Sequence, residues 1–504
     1  MKRMKIMLLS AFVVLAQIVM FSSCSSEEEN YLSSLPAESS LVIKVNAVQM
    51  VEKSNILNNP LMGMFMMQAE SNVPESLKEK FEEIKQDPRS AGLDLEKPLA
   101  ISVVLNDLNN PQMVFVAAIS DGQKFDDLLT KVASTEDEFS IEKLDKGMQR
   151  IKIAGNDEAD IVYNDNRLLV TVGLDAIKLM NQSVKQSMLN NPNFKKFAES
   201  TNDYSIYMDY AWMSNALKQD KQLAKDLPPT LDLMKDCSIF FSVNFEQGKV
   251  VGDAQIYASD ELKELQERFY CKPSGKFIGL LPENTYLALS GGGKNIAEIF
   301  DLMGEKEKQT IEKSLLEMGL TKEALNTVEG EMLLGVFDDA NPQGIPGFVL
   351  AVECKDRSLF DVVKKMTGNE ATEGDVLDIM GYYITFTDGS LIATTKSIYD
   401  QCLATGKIKS LEGGKKNPEM DKVLKNGGLF VDFQAIAQNK FLNQMKRDRK
   451  VASALSILKQ LDYLSTHYES LEEGSVELTF KDSSKNALEQ LISMGIGAAM
   501  ATNR

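Results

Sequence analysis

A single histidine, His467, serves all 504 residues, and the five cysteines are scattered without a Cys-x-x-Cys pair. That scarcity excludes zinc sites needing two or more imidazoles, and dithiol redox motifs. Beyond residue 24 no segment reaches about 18 uninterrupted apolar residues, so no spanning helix is expected in the body. Basic charge is in deficit: 55 Lys and Arg face 73 Asp and Glu, a formal net charge of −18. A surface this acidic repels phosphate backbones, which argues against nucleic acid as a partner. What remains is ordinary globular material, 43% hydrophobic and 25% charged. Its length suits about three domains.

The first 24 residues carry the sharpest signal. Lys2, Arg3 and Lys5 precede an apolar run from Ile6 to Phe21, and then come Ser22, Ser23 and Cys24. A basic start, an apolar stretch and small residues before a cut define a secretory signal. The run is too short for a full membrane span of about 20 residues. The arrangement resembles the bacterial lipoprotein lipobox, with Phe21 where that pattern usually has Leu. It makes Cys24 the lipidated residue and the membrane a partner through the lipid anchor. Each buried acyl CH₂ adds about 0.8 kcal/mol, so several chains hold a soluble body stably. Residues 1–23 are then the signal and 24–34 an acidic tether. A ten-residue tether could reach about 33–36 Å when extended. Ser26, Glu27, Glu28 and Glu29 resemble the export signal of Bacteroidetes-type lipoproteins displayed on the outer face of the outer membrane. An anchor facing the periplasm is the alternative.

The body reads as a duplication. Leu35-Pro36 before Leu41-Val42-Ile43 recurs as Leu281-Pro282 before Leu287-Ala288-Leu289. Asp165 to Leu169 recurs as Asp388 to Ile392, and Tyr207-Met208-Asp209-Tyr210 as Phe430-Val431-Asp432-Phe433. The matches stay in order along the chain. The expected repeats are 35–270 and 275–484, joined at the breaker cluster Cys271-Lys272-Pro273-Ser274-Gly275. A helix and tail, 485–504, close the chain. Short β-branched runs such as Leu41 to Val45 read as strands, and Glu75 to Lys85 and Lys124 to Val132 as helices. Hairpin turns at Asn164-Asp165-Asn166 and Asp388-Gly389 imply antiparallel pairing. The expected fold class is therefore α+β, two similar halves, each a mainly antiparallel sheet with helices.

Motifs that could carry chemistry are few. Triads of the Ser-His-Asp kind could use only His467, expected as a partly exposed residue just before a strand. Asp209 and Asp432 occupy matching places and could share a proton as paired carboxylates do. Each follows a short strand and precedes a helical stretch, as Asn46 does, so all three are expected to cap helices. Gly291-Gly292-Gly293-Lys294 lacks the flanking residues of a phosphate loop and reads as a flexible strand-to-helix loop. Asp338-Asp339 reads as a solvated turn. Leu61 to Met67 is the densest methionine patch, fit for a core or for an apolar groove. Trp212 is expected to pack the helix start after Asp209. Lys446 to Lys450 reads as a solvated charged face. Cys237, Cys271, Cys354 and Cys402 allow three disulfide pairings, and spacing cannot choose among them.

The ending Ser22-Ser23-Cys24, the acidic tether and the opening Leu35 to Asn46 resemble a family of Bacteroidetes envelope lipoproteins classed as a domain of unknown function. The resemblance implies an envelope location and carries over no site residue beyond Cys24. No cofactor, metal or catalytic residue is expected. The first functional expectation is a non-enzymatic binding or structural role with a protein or glycan partner. A carrier or chaperone for an apolar ligand is the second, and a carboxylate hydrolase the third.

Overall fold

The computed structural model describes residues 31–58, 73–105, 110–135, 139–155, 158–211, 233–317, 319–339, 346–368, 376–379, 381–411 and 417–502. The architecture is α+β, with antiparallel strand pairing throughout. The chain forms two compact units. Of the described residues, the first holds those within 31–211, Lys235–Gln247 and Lys485–Ser493; the second holds those within 233–234, Gly248–Ser484 and 494–502.

The first unit contains β1 (Leu41–Val45), β2 (Leu99–Val104), β3 (Gln112–Ala118), β4 (Phe139–Lys143), β5 (Gln149–Ile153), β6 (Ala159–Tyr163), β7 (Arg167–Val172), β8 (Tyr204–Asp209) and β9 (Ser238–Glu246). Their lateral order is β9-β8-β1-β2-β3-β7-β6-β5-β4. Strand periodicity of two sends Val42, Tyr207 and Phe240 to one face, where they are buried. The short helix Phe194–Glu199 packs there, and the Phe194 ring meets the Tyr207 ring edge-on at 5.1 Å. The opposite face carries Ile43, Ile101, Phe115 and Val170 in one cross-strand row. Toward β5 and β6 that face is covered by the helix Gly122–Thr135, whose Phe125 packs on Tyr163 at 5.2 Å.

The second unit contains β10 (Lys249–Tyr257), β11 (Thr285–Gly293), β12 (Val328–Phe337), β13 (Gly347–Cys354), β14 (Val376–Ile379), β15 (Tyr382–Thr387), β16 (Ser390–Thr395), β17 (Gly428–Asp432), β18 (Leu461–Tyr468) and β19 (Glu473–Phe480). Their order is β10-β19-β18-β17-β11-β12-β13-β16-β15-β14. Ala288, Phe430, Val349 and Ile392 form the buried face with Phe277, Leu281 and the Met420, Val423 and Leu424 side of the helix Pro418–Asn426. Gly335 lies in this face through its register with Ala288 and Val349, and a Cβ there would come within 2.1 Å of the Leu281 side chain.

Several sequence expectations change. Gly291 to Gly293 are not a loop but the end of β11, and a Cβ on Gly292 would come 1.9 Å from the Cys271 carbonyl oxygen. Close passage of the neighbouring backbone, rather than flexibility, selects glycine there. Residues Tyr31 to Ser34, expected as tether, form a buried 3₁₀ turn of the first unit. The strand Lys249–Tyr257, expected in the first repeat, pairs with β19 in the second unit. The Asp388-Gly389 hairpin has φ of 51° and 67°, the paired left-handed geometry of a type I′ turn.

Candidate functional site

Cys24, Ser26, Glu27, Glu28 and Glu29 lie outside the described residues, as do Leu61 to Met67 and Trp212. The other expected residues have definite partners. Asn46 Oδ1 accepts from the Gln49 N–H at 3.2 Å, and Asp432 Oδ1 from the Ala435 N–H at 2.7 Å, each at a helix start. Asp209 Oδ1 accepts from the Ala211 N–H at 3.0 Å. Burial raises the Asp209 carboxyl, and Asp236 adds to the effect against the Ala211 hydrogen bond. Burial likewise raises Asp462, helped by Asp432 and opposed by Lys481.

His467 sits within β18 rather than before a strand, its side chain 16% exposed. Its Nε2 lies 2.9 Å from Glu419 Oε1 and 3.4 Å from Ser465 Oγ. A catalytic triad needs the serine and the acid on opposite ring nitrogens. Here both approach the same nitrogen, so the contacts make a polar tie and not a nucleophile relay. Beside it, Glu477 receives Lys249 at 2.8 Å and the Tyr463 hydroxyl at 3.0 Å. Burial alone would raise Glu477, but these hydrogen bonds outweigh it and hold the carboxyl below its ordinary value.

The most deeply buried charges were not singled out by sequence. Lys44, 2% exposed, points into the first unit from β1. Its ammonium donates to the carbonyl oxygens of Phe197, Ala198 and Ser200 at 2.7, 3.0 and 2.7 Å. These carbonyls end the helix Phe194–Glu199, where a cation is favoured. Burial lowers the Lys44 ammonium to about 8. Lys53 and the fully buried Asp203 pair at 2.7 Å, and Asp203 also accepts from the Phe245 N–H. In the second unit Glu331, 1% exposed, gathers donors from one loop. Its Oε2 accepts from the N–H groups of Ser274, Gly275 and Lys276 at 2.8, 2.6 and 3.0 Å, and from Ser274 Oγ at 2.8 Å. Lys276 in turn reaches Glu353, the Asp388 carbonyl and Ser390. The expected join at 271–275 is therefore pinned to β12. An alternating apolar strand interrupted by one Lys or Glu was the available signal, since a charge in a core position must find partners.

Two recesses are open and mixed in lining. One of about 740 Å³ in the first unit is edged by Arg150, Lys152, Glu158 and Asp160 over Ile151 and Ile161. The other, about 410 Å³ in the second unit, is edged by Asp339, Tyr382, Lys396 and Asp400. Arg150 is paired with Asp160, and Lys396 with Asp400. Cys237, Cys271, Cys354 and Cys402 form no disulfide with one another. Among the described residues no group of three or more His, Cys, Asp or Glu is placed to hold a metal, and no helix is long and apolar enough to cross a membrane.

These features define an α+β protein of antiparallel sheets whose buried charges tie loops and helix ends to the strands. The chain belongs to the family described as a domain of unknown function, DUF4836, which matches residues 31–488. No curated protein matches it. A solved structure titled "Structure of crystal form IV of TP0453" aligns at 12% identity over 48% of this chain and 85% of that one, with a TM-score of 0.27.

Proposed function

We propose that the chain is a lipoprotein of the outer membrane, anchored through Cys24, displayed at the cell surface and engaged in non-enzymatic binding of a protein or glycan partner. The basic start, the apolar run and Ser22-Ser23-Cys24 support the anchor. The observation that carries the binding role is apolar surface left open on the strands. Met113 on β3 and Val172 on β7 are direct cross-strand partners and are 41% and 39% exposed. Leu289 on β11 and Leu350 on β13 flank Leu334 in one row and are 47% and 43% exposed. Adjacent exposed apolar side chains on a sheet mark an interaction surface more often than scattered ones do.

The body is an internal duplication in this reading. The central strands support it: Val42 of β1 pairs with Tyr207, and Ala288 of β11 pairs with Phe430, the residues the sequence repeat aligns. The order β8-β1-β2-β3-β7-β6-β5 in the first unit parallels β17-β11-β12-β13-β16-β15-β14 in the second.

Intact-mass analysis of detergent-extracted protein tests the anchor; a Cys24 without acyl groups overturns it. Protease shaving of intact cells tests display, and protection of the body overturns it. Photo-crosslinkers placed at Val172 and Leu350 on intact cells should give discrete adducts. Their absence at both positions overturns the binding role.

A further inference from the structure

The structure shortens the tether. With Tyr31 to Ser34 buried in the first unit, the seven residue steps from Cys24 to Tyr31 reach at most about 25 Å. If Cys24 is acylated, the surface around Tyr31 stays close to the headgroups.

The elements fastened to that point are specific. Gln182 Nε2 donates to the carbonyls of Ser33 and Leu35 at 2.6 and 3.1 Å. The Met188 N–H donates to the Leu35 carbonyl, and Pro36 bridges to Ser187. Arg167 donates to Ser33 Oγ at 2.6 Å and to the Met180 carbonyl at 2.9 Å. The turn Met188–Asn190 packs against Tyr31–Ser34, against the turn Val184–Gln186 and against the helix Phe194–Glu199. Lys44 and the Phe194, Phe197 and Tyr207 rings hold that helix in place.

The charge of this region runs against that of the chain. Residues 176–198 are the longest stretch after Glu29 without Asp or Glu, in a chain of net charge −18. They carry Lys178, Lys185, Lys195 and Lys196, all exposed, and Val184, 51% exposed, at the tip of a turn. Glu199 stands 3.9 Å from Lys195, and Asp175 precedes the stretch. Near Tyr31, Asp94 and Glu96 are offset by Lys97 and Arg89.

We propose that the lysine-bearing surface of residues 176–198 is a membrane-docking face that seats the first unit on anionic lipid headgroups beside the acylated Cys24. Short reach brings the surface to the bilayer, and lysine charge complements lipid phosphate. Each lysine near such a surface contributes about a fivefold gain in partition. This inference rests on the lipid-anchor reading.

The test uses the acylated full chain in vesicles of phosphatidylcholine alone or with phosphatidylglycerol. The rate of amine labelling at Lys185, Lys195 and Lys196 is read against Lys313 in the second unit. The three should be protected at least fivefold on the anionic vesicles, and the protection should vanish in high salt. The triple variant K185E/K195E/K196E should lose protection of the backbone amides of 182–190 without losing the acyl group. Equal labelling on both vesicles, with Cys24 acylated, overturns the docking face alone. A Cys24 lacking acyl chains overturns the anchor and the docking face together.

Discussion

The two units solve one problem with opposite charges. In the first, the residue two beyond buried Val42 on the central strand is Lys44, a cation gathering three carbonyl oxygens at a helix end. In the second, the residue two beyond buried Ala288 is Ser290, a buried hydroxyl, and the charged lock is Glu331 on the next strand, an anion gathering backbone N–H groups. Backbone exposes both donors and acceptors wherever a helix ends or a loop turns. A buried lysine can close one kind of end and a buried carboxylate the other. Similar strand orders therefore do not require the same polar lock, only that each orphan group be matched.

The largest effect expected from breaking this contrast is at the aromatic anchor that Lys44 overlies. Phe197→Ala empties a fully buried site against Phe194, Tyr207 and Phe240 and should cost about 3–5 kcal/mol in chemical denaturation. Glu331→Gln comes next. It keeps the shape but removes the charge that three N–H groups and a hydroxyl share, at a cost of about 2–3 kcal/mol. Hydrogen exchange should show the loss first in residues 274–277. A cost below 0.5 kcal/mol would make the loop's own turn geometry, not Glu331, its lock.

Lys44 sharpens the contrast through pH. Its ammonium titrates near 8 when folded, below the ordinary value of 10.5. Between those two values the unfolded chain binds more protons, so the Lys44 contribution to stability rises with pH across that window and is lost as pH falls through about 8. Lys44→Met should flatten this rise in denaturation curves taken across the same pH range. An unchanged slope would show that the three carbonyls hold the proton in place. The smallest effect is expected at Tyr163→Phe. It removes one hydroxyl from Asp126, which keeps Gln149 at 2.7 Å, and should cost about 0.5–1.5 kcal/mol.

Much of the sheet was legible. Leu41 to Val45, Arg167 to Val172 and Gly428 to Asp432 announce themselves through short apolar runs, and Asp388-Gly389 through turn chemistry. The locks were not legible. Lys44 reads as an ordinary polar position in an alternating strand, and its three acceptors lie more than 150 residues away. Glu331 is in the same position, with its loop 54 to 57 residues upstream. His467 was singled out for its rarity, yet its place within a strand beside Glu419 depends on the helix Pro418–Asn426. The glycine run 291–293 was misread because its cause is the passage of Cys271, a neighbour that local composition does not reveal.

By itself the amino-acid order determined the α+β alternation, the antiparallel turns, the acidic balance and the single histidine, because all of these depend on residues a few positions apart or on simple counts. Tertiary structure alone decided which polar groups are buried, which partners match them and that Tyr31 to Ser34 are packed into the first unit. Those outcomes turn on desolvation, and whether a charge is desolvated is set by what packs over it from distant parts of the chain.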